Sequence, residues 1–515
     1  MANLKENDLS QGMFLTVNLQ EQLLPDTFEW TIEYLINKMD TSIFERNYNN
    51  DERGAAAYPP KALLKLILFC YSKGIISSRK IEKAAKENIT AKALAEDFEP
   101  DHDTIATFIS TNSEAIKDLF AQVLVQCSQL ELITGKMFAI DGCKLPSNAS
   151  KEWSGSIADL RRKRDRLGNY ITQLLHQHQE LDRDEKAKKK LKPYQKTMGD
   201  DKERRARSIE RLENKLEKLN KFLESAEPKI GAAGTEVQSN ITDNESARIK
   251  GPHGYIQGYN GIAIADSGNQ VIIAGKAIGS GAEGGCFPEM LDKLEENMKT
   301  LTGKEKPLEK ALVEGDTNYF SEDNLREAAS RGIDVLIPDS QFRQRDPHFT
   351  EIKKAKVKKD RKFTTEDFNY KKANDCFICP AGKALEYKHH VTLRNNSGKK
   401  YQAKSSDCIK CPMHDRCTKK RSGKKHARTL YIIDKKHENP FSQVMRKKID
   451  EPINRELYSR RMQIIEPVFS NITHCKGMDR FTLRTQEKVN IQWLLFCIVH
   501  NLWKCMKPLG ARYRK

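Results

Sequence analysis

Apolar residues recur at helical spacing through the first 130 or so residues, and the period then changes. Phe28 to Met39 and the run Pro60-Lys-Ala-Leu63-Leu64-Lys-Leu66-Ile67-Leu68 place apolar side chains three and four apart, so each predicts an amphipathic helix. Ser77-Ser78-Arg79 ahead of Ile81, Ala84 and Ala85 predicts a serine-capped helix. Pro100-Asp101-His102-Asp103-Thr104-Ile105 predicts a turn and an Asp or Thr cap for a helix through Phe108. For His102 and Asp103, capping and surface polarity outweigh a catalytic pair. Together these segments predict a compact all-helical unit ending near Leu132, in which nothing marks a DNA-recognition helix.

Lys136-Met-Phe138-Ala-Ile140-Asp141-Gly142 is then a short buried-strand pattern ending in an acid. An aspartate just past such a strand either caps a turn or binds a cation, because it cannot stay in a core uncompensated. Between Ile157 and Glu224 the spacing becomes heptad: Leu160, Leu167, Leu174 and Leu181 in one arm, Ile209, Leu216 and Leu223 interleaved with Leu212 and Leu219 in the other. Lys188 to Pro193 breaks the pattern, so an antiparallel helical hairpin is predicted, its charges forming a solvated face or a DNA contact. Further on, Gly258 to Asp266 and Gln270 to Ala274 read as a β-hairpin, Met290 to Met298 as a helix, and Ala311 to Asp316 as a second strand ending in Gly-Asp. Asn324 to Arg331 and Val335 to Asp339 add a helix and a strand, and the alternation predicts a mixed α/β layer.

Lys353 to Lys362 is a basic run with Phe363, Phe368 and Tyr370 nearby, suited to phosphate contact with stacking or to a solvated loop. Two cysteine clusters follow, and Cys379, Cys408, Cys411 and Cys417 would make a four-thiolate zinc site, with Cys376 or His414 as competing ligands; the alternative is a small core of reduced thiols. Near the end, Leu457 to Ile465 reads as a helix interrupted by Pro467, which puts Glu466 at a helix discontinuity, either free for chemistry or paired with Arg460 or Arg461. Val489 to Trp503 reads as a core helix, with Asn490 and Asn501 as polar punctuation.

Charge and cysteine usage narrow the function. Lys and Arg number 89 against 71 acids, a formal charge of +18 that favours an anionic polymer as partner. The 12 cysteines are dispersed, which argues against a secreted disulfide framework. Neither a signal-peptide core after Met1 nor a membrane-spanning run is present, so the expectation is a cytoplasmic protein with no membrane partner.

Taken in order, Ser77-Ser78-Arg79, Pro100 to Ile105, Ile140-Asp141-Gly142, Tyr259-Asn260, Gly315-Asp316 with Tyr319-Phe320-Ser321, and Tyr458-x2-Arg461-x4-Glu466-Pro-Val-Phe469 resemble DDE transposases of prokaryotic insertion sequences. The resemblance spans nearly the whole chain and is strongest to the group with a Tyr-Arg-Glu-Lys signature around the last acid and a cysteine-bearing insertion before it. It implies an α/β fold: an RNase H-like catalytic core, an N-terminal all-helical domain, a helical-hairpin insertion and a small cysteine-rich insertion. The implied boundaries are 1–132 for the helical domain, 133–154 and 231–348 for the core, 155–230 for the hairpin, 349–428 for the basic and cysteine-rich insertion, and 429–515 for the part of the core that carries the last acid. It implies cleavage and strand transfer by Asp141, Asp316 and Glu466 with Mg or Mn, DNA contacts from Tyr458 and Arg461, and as partners double-stranded DNA, transposon ends and target, and a second copy in a homodimer. One departure stands: the lysine expected seven residues after Glu466 is Thr473, so Lys476 or Arg480 would take over end binding, and Glu456 is the next candidate for the third acid. A metal-dependent nuclease on the same fold would cut without joining, and a catalytically impaired or domesticated descendant would bind DNA without cutting.

Overall fold

The structure is a computed structural model and describes residues 18–46, 48, 56–183, 202–231, 234–251, 254–346, 362–393, 396–418, 426–433 and 440–513. The chain divides into two compact units, one of Met1–Asn318, Gly332–Asp334 and Arg460–Lys515, the other of Tyr319–Arg331 and Val335–Ser459.

In the first unit the main N-terminal helices are α1 (Phe28–Lys38), α2 (Pro60–Ser72), α3 (Ser78–Glu87), α4 (His102–Thr111) and α5 (Ser113–Gln129). From Ala62 to Ser72 every residue of α2 is buried, so this helix is the centre of the helical region. Its Lys65 is tolerated there because Glu33 and Glu96 each approach the ammonium at 2.8 Å. Asp101 caps α4 by accepting the Thr104 amide at 2.6 Å. Ser77 occupies the capping position of α3, but its hydroxyl makes no capping bond, unlike the sequence expectation. His102 Nδ1 and Glu82 Oε2 are 2.8 Å apart, which ties α4 to α3 and gives the histidine a structural role.

The sheet begins with β1 (Met137–Pro146), is interrupted by the helices α6 (Ile157–Arg183) and α7 (Lys202–Ser225), and resumes with β2 (Ala247–Gly251), β3 (Gly254–Asp266), β4 (Ile272–Ile278), the helix α8 (Phe287–Thr302) and β5 (Leu312–Glu314). β3 is the long central strand. Along one side it pairs antiparallel with β1, and along the other with β2 in its first half and β4 in its second. β5 lies parallel to β1 and pairs with only its first three residues, Met137 to Ala139. α6 and α7 pack on each other with Leu160, Ile171, Ile209 and Leu219 buried, while the Leu181 side chain and the break at Lys188 to Pro193 lie outside the described residues.

In the second unit α9 (Glu322–Ser330) is capped by Ser321, which accepts the Asn324 amide at 3.2 Å. The strand expected at Val335 to Asp339 is the shorter Asp334–Leu336. A second sheet follows, β6 (Asn369–Lys371), β7 (Cys376–Ile378), β8 (Ala384–Leu393), β9 (Asn396–Ala403) and β10 (Thr429–Ile433), an antiparallel meander in chain order. Its core is Phe368, Phe377, Leu385, Tyr401, Ala403 and Leu430. The helices α10 (Pro440–Asp450) and α11 (Pro452–Ser459) complete the unit. Of the basic run, residues 353–361 lie outside the described residues.

The chain returns to the first unit with α12 (Arg461–Ser470), a π-helical turn at Asn471–Cys475, and the terminal helix α13 (Gln486–Tyr513), longer than its apolar run predicts. α13 packs on α1, α2, α5 and β4 and so joins the helical region to the sheet. The two asparagines of this helix are structural. Asn501 accepts the Ile272 amide and donates to the Ile272 carbonyl, both at 2.9 Å, and Asn490 does the same at Ala277, at 2.8 and 3.0 Å. Eleven helical residues at 1.5 Å rise and five strand residues at 3.3 Å both span about 16.5 Å, so the helix matches the open edge of β4 and satisfies its backbone at two points. Between them Trp493 donates to the Ile262 carbonyl at 2.9 Å. A Cβ at Gly261 would lie 2.8 Å from the Trp493 ring, so only glycine admits the indole.

Candidate active site

Asp141 is not at the end of its strand, as the apolar run suggested. β1 continues to Pro146 because β3 is long enough to pair with it throughout. Asp141 does lie two residues past Ala139, where the parallel partner β5 stops, and Asp316 follows two residues after the last residue of β5. Both aspartates therefore lie just past the point where the parallel pairing of β1 with β5 stops, Asp141 within β1 and Asp316 beyond the end of β5, a position akin to the one where open sheets bind ligands. Asp141 Oδ1 accepts the Gly142 amide and Oδ2 accepts Arg461 Nη1, both at 2.8 Å. Gly142 is required because a Cβ there would lie 2.7 Å from the Asn260 amide oxygen. Asn318 fixes Asp316, its backbone amide donating to Oδ1 at 2.8 Å and its Nδ2 to Oδ2 at 2.9 Å.

A third acid joins them that the sequence reading missed. Glu283 precedes the 3-10 turn Gly284–Cys286 that leads into α8, is 3% exposed, and has Oε1 at 3.6 Å from Lys144 Nζ. One carboxylate oxygen each from Asp141, Glu283 and Asp316 lies within 4.8 Å of the others. Burial holds the Glu283 carboxyl above its ordinary range, Asn260 opposes this, and the charges of Asp141 and Asp316 raise it further. Asp316 is raised by burial and by Asp141, against the Asn318 amide, Arg461 and Lys144. Such a set of hard oxygen donors is suited to a divalent cation. The available signal was Glu283 within the glycine-rich strand-to-helix turn Gly279-Ser-Gly281-Ala-Glu283-Gly-Gly285. Glu314, facing Ala139 in the sheet, is fully buried and pushed up to about 8 by burial, against Arg461 and Arg460.

The other expected residues are dispersed. Glu466 lies on an exposed position of α12 and is not part of the group within 4.8 Å. Pro467 does not break its helix: α12 starts at Arg461 and runs through the proline. The carbonyl that loses a donor to a proline is four residues back, at Gln463, and there Gln270 Nε2 donates at 3.0 Å. Tyr458 belongs to the second unit, with its ring edge-on to Phe342 at 5.5 Å, and Glu456 is exposed in that unit. Arg480 is exposed. Lys476 corrects the expectation of a DNA contact: it is 2% exposed, with Nζ 4.0 Å from the Trp503 ring centroid and 5.6 Å from that of Phe28. Its aliphatic stem and cation are held by aromatic rings in the core. Thr473 donates to the Phe469 carbonyl at 2.8 Å inside the π-turn.

In the second unit Cys379, Cys408, Cys411 and Cys417 line one cavity of about 30 Å³. The Lys383 amide donates to Cys379 Sγ at 3.3 Å and the Arg428 amide to Cys408 Sγ at 3.4 Å, the polarity that suits thiolates. Burial pushes the Cys417 thiol up, Arg428 opposes this, and the other three cysteines add to it, so each thiol is within electrostatic reach. Of the two competitors, Cys376 is buried in β7 away from this lining. His414 lines the cavity and still competes: its Nε2 meets the His426 carbonyl and Thr418 Oγ1, each at 3.2 Å, while its Nδ1 is buried without a hydrogen-bond partner.

Among the described residues no helix is long and apolar enough to cross a membrane. No curated protein matches the chain. Two family models do: residues 17–111 match one described as a transposase domain (DUF772), and residues 378–506 match one described as a transposase DDE domain, which favours transposition over the nuclease and the non-catalytic DNA binder. The first covers α1 to α4 of the helical region and the second runs from the cysteine sheet through Glu466 into α13. With an acidic site that fits divalent metal in the sheet between those two stretches, the two matches support a DDE transposase of an insertion sequence, an enzyme of the polynucleotidyl-transferase type.

Proposed function

We propose that the first unit is an RNase H-like core in which Asp141, Asp316 and Glu466 carry metal-dependent cleavage and strand transfer at the ends of an insertion sequence. The observation that carries this reading is the convergence of Asp141 and Asp316 just past the end of the parallel pairing between β1 and β5, with α12 packed against β1. The residues fit a cation on their own account. Asp141 and Asp316 raise the Glu283 carboxyl, and Glu283 Oε2 is buried without a hydrogen-bond partner.

Bound Mg or Mn supplies a Lewis acid for activating a water or a 3′ hydroxyl and for stabilising the leaving oxygen in an in-line displacement at phosphorus. Asp141 and Asp316 would hold it, with Asn318 and Gly142 fixing the direction of their oxygens. Arg461 is the cation at Asp141 and is placed to hand a guanidinium to a scissile or neighbouring phosphate, and Tyr458 and Arg480 complete the contacts to the ends. Double-stranded DNA is held by the helical region and by the excess of basic residues. The α6–α7 pair is the proposed contact between two copies acting on paired ends in the cytosol. The four cysteines that line one cavity of the second unit would hold a structural zinc ion.

The test uses duplexes cut from the DNA that borders the gene on either side, chosen as those the protein binds. Asp141→Ala, Asp316→Ala and Glu466→Ala should each abolish cleavage of an end-bearing duplex and joining of a pre-cleaved end, with duplex binding kept. A Glu466→Ala protein that still cleaves removes Glu466 from the set.

A further inference from the structure

Glu283 is held where an ordinary structural acid would not be. Its backbone carbonyl accepts the Cys286 amide at 3.0 Å and Cys286 Sγ at 2.8 Å, which anchors the residue at the head of the turn before α8. Its carboxylate points into the sheet end, 3% exposed, with Lys144 Nζ at 3.6 Å from Oε1 and no hydrogen-bond partner for Oε2. A buried carboxylate oxygen without a donor costs about 1–3 kcal/mol or more, and the neighbouring groups on the Asp141 and Asp316 side are acids that repel it. Three carboxylates against Lys144 and Arg461 leave the site negative before any DNA phosphate arrives. A solvated acidic cluster would relax by turning its oxygens outward; the anchored, buried Glu283 cannot.

We propose that Glu283 is an additional carboxylate ligand of the divalent-metal site, reaching from the turn before α8 to a cation shared with Asp141 and Asp316. The inference rests on the reading that those two aspartates bind metal, and it adds to them a carboxylate with an oxygen within 4.8 Å of theirs, a group that does not include the exposed Glu466. Lys144 then holds one Glu283 oxygen and the metal takes the other. Asn260, whose amide packs against Gly142, is the neutral polar group beside this pair and favours the charged form of Glu283.

The test is Mn²⁺ binding to the full-length protein without DNA, read as free Mn²⁺ by electron paramagnetic resonance, with thermal unfolding of the metal-free protein measured alongside. Glu283→Gln should weaken Mn²⁺ at least about tenfold, with metal-free unfolding unchanged or shifted up because a repelled buried charge is gone. Glu283→Asp, which keeps the charge but draws the oxygens back by one methylene, should also weaken Mn²⁺ and serves if the Gln variant does not fold. Glu289→Gln, on the exposed side of α8, should bind Mn²⁺ as the unaltered protein does. If Asp141→Asn and Asp316→Asn lose Mn²⁺ while both Glu283 variants bind it normally, the proposal is overturned and the two-aspartate reading stands. If the Asp141 and Asp316 variants also bind normally, the metal reading fails and takes the proposal with it.

Discussion

Arg461 Nη1 sits 2.8 Å from Asp141 Oδ2, with both side chains largely buried. A guanidinium in that place competes with a divalent cation for the same carboxylate, so metal binding requires it to move or to share. Arg461→Ala should therefore tighten Mn²⁺ binding in the absence of DNA by about tenfold, or about 1.4 kcal/mol, as measured by titration calorimetry. Cleavage at saturating metal should fall, since the same arginine is proposed to hold a phosphate. Unchanged Mn²⁺ affinity would mean that the arginine and the metal use different oxygens.

The bond from Gln270 to the Gln463 carbonyl is a replacement for the amide that Pro467 lacks. Gln270→Ala should destabilise the protein by about 1–2 kcal/mol in urea unfolding. In a Pro467→Ala background the restored amide can satisfy the same carbonyl, so the loss should be smaller by about 1 kcal/mol. Equal losses in both backgrounds would show that Gln270 acts only through Lys504, which donates to its side-chain oxygen at 2.8 Å.

These two sites show what the sequence made legible and what it did not. The helices from Phe28 to Phe108, the hairpin around Asp266 and both aspartates were readable, because each depends on local periodicity or on an acid beside a strand. Glu283 was not, because its meaning comes from a turn 142 residues after Asp141 folding back to the same sheet end. Pro467 was misread for the same reason: a proline breaks a helix only when nothing replaces the lost donor, and Gln270 is distant in sequence. Asn490 and Asn501 looked like interruptions of a core helix, yet they are its fit to a strand edge.

His500 is buried between the Gln270 carbonyl, 2.8 Å from Nε2, and the Asn471 side chain, 3.0 Å from Nδ1. Burial pushes its pKa down to about 3, the Gln270 carbonyl opposes this, and Lys504 and Lys476 add to the depression. The neutral ring is the folded form. With an unfolded value near 6.5, the stabilisation is complete above that pH and is lost as pH falls from 6.5 towards 3, by up to about 1.4 kcal/mol per unit. His500→Gln should flatten this loss, so urea midpoints at pH 7 and pH 5 should differ less in the variant. A variant as acid-sensitive as the unaltered protein would place the sensitivity elsewhere.

Lys476 and Arg480 separate a buried cation from an exposed one. Burial pushes the Lys476 amine down to about 8, and its ammonium lies over Trp503. Arg480→Ala should reduce the slope of log affinity against log salt for an end duplex by about 1. Lys476→Met, which preserves the apolar stem, should leave that slope unchanged in the same fluorescence titration. A reduced slope for Lys476→Met would mean that the lysine leaves its aromatic seat when DNA binds.

The cysteine cavity gives the last expectation, and its geometry separates zinc from a core of reduced thiols. Thiols that merely pack would hold about equally well with a chelator present, because Phe377, Leu385, Tyr401 and Leu430 already form the core beside them. Thiolates converging without a cation would repel, so a zinc-bound set should collapse on metal removal. Protein prepared under reducing conditions should carry about one zinc per chain, Cys411→Ser should lower that content, and a strong chelator should expose residues 363–433 to proteolysis before the rest of the chain. Cys376→Ser, altering a buried cysteine of β7 outside the cavity lining, should leave zinc in place. Zinc-free protein with an unchanged digestion pattern would leave the packed-thiol reading as the correct one.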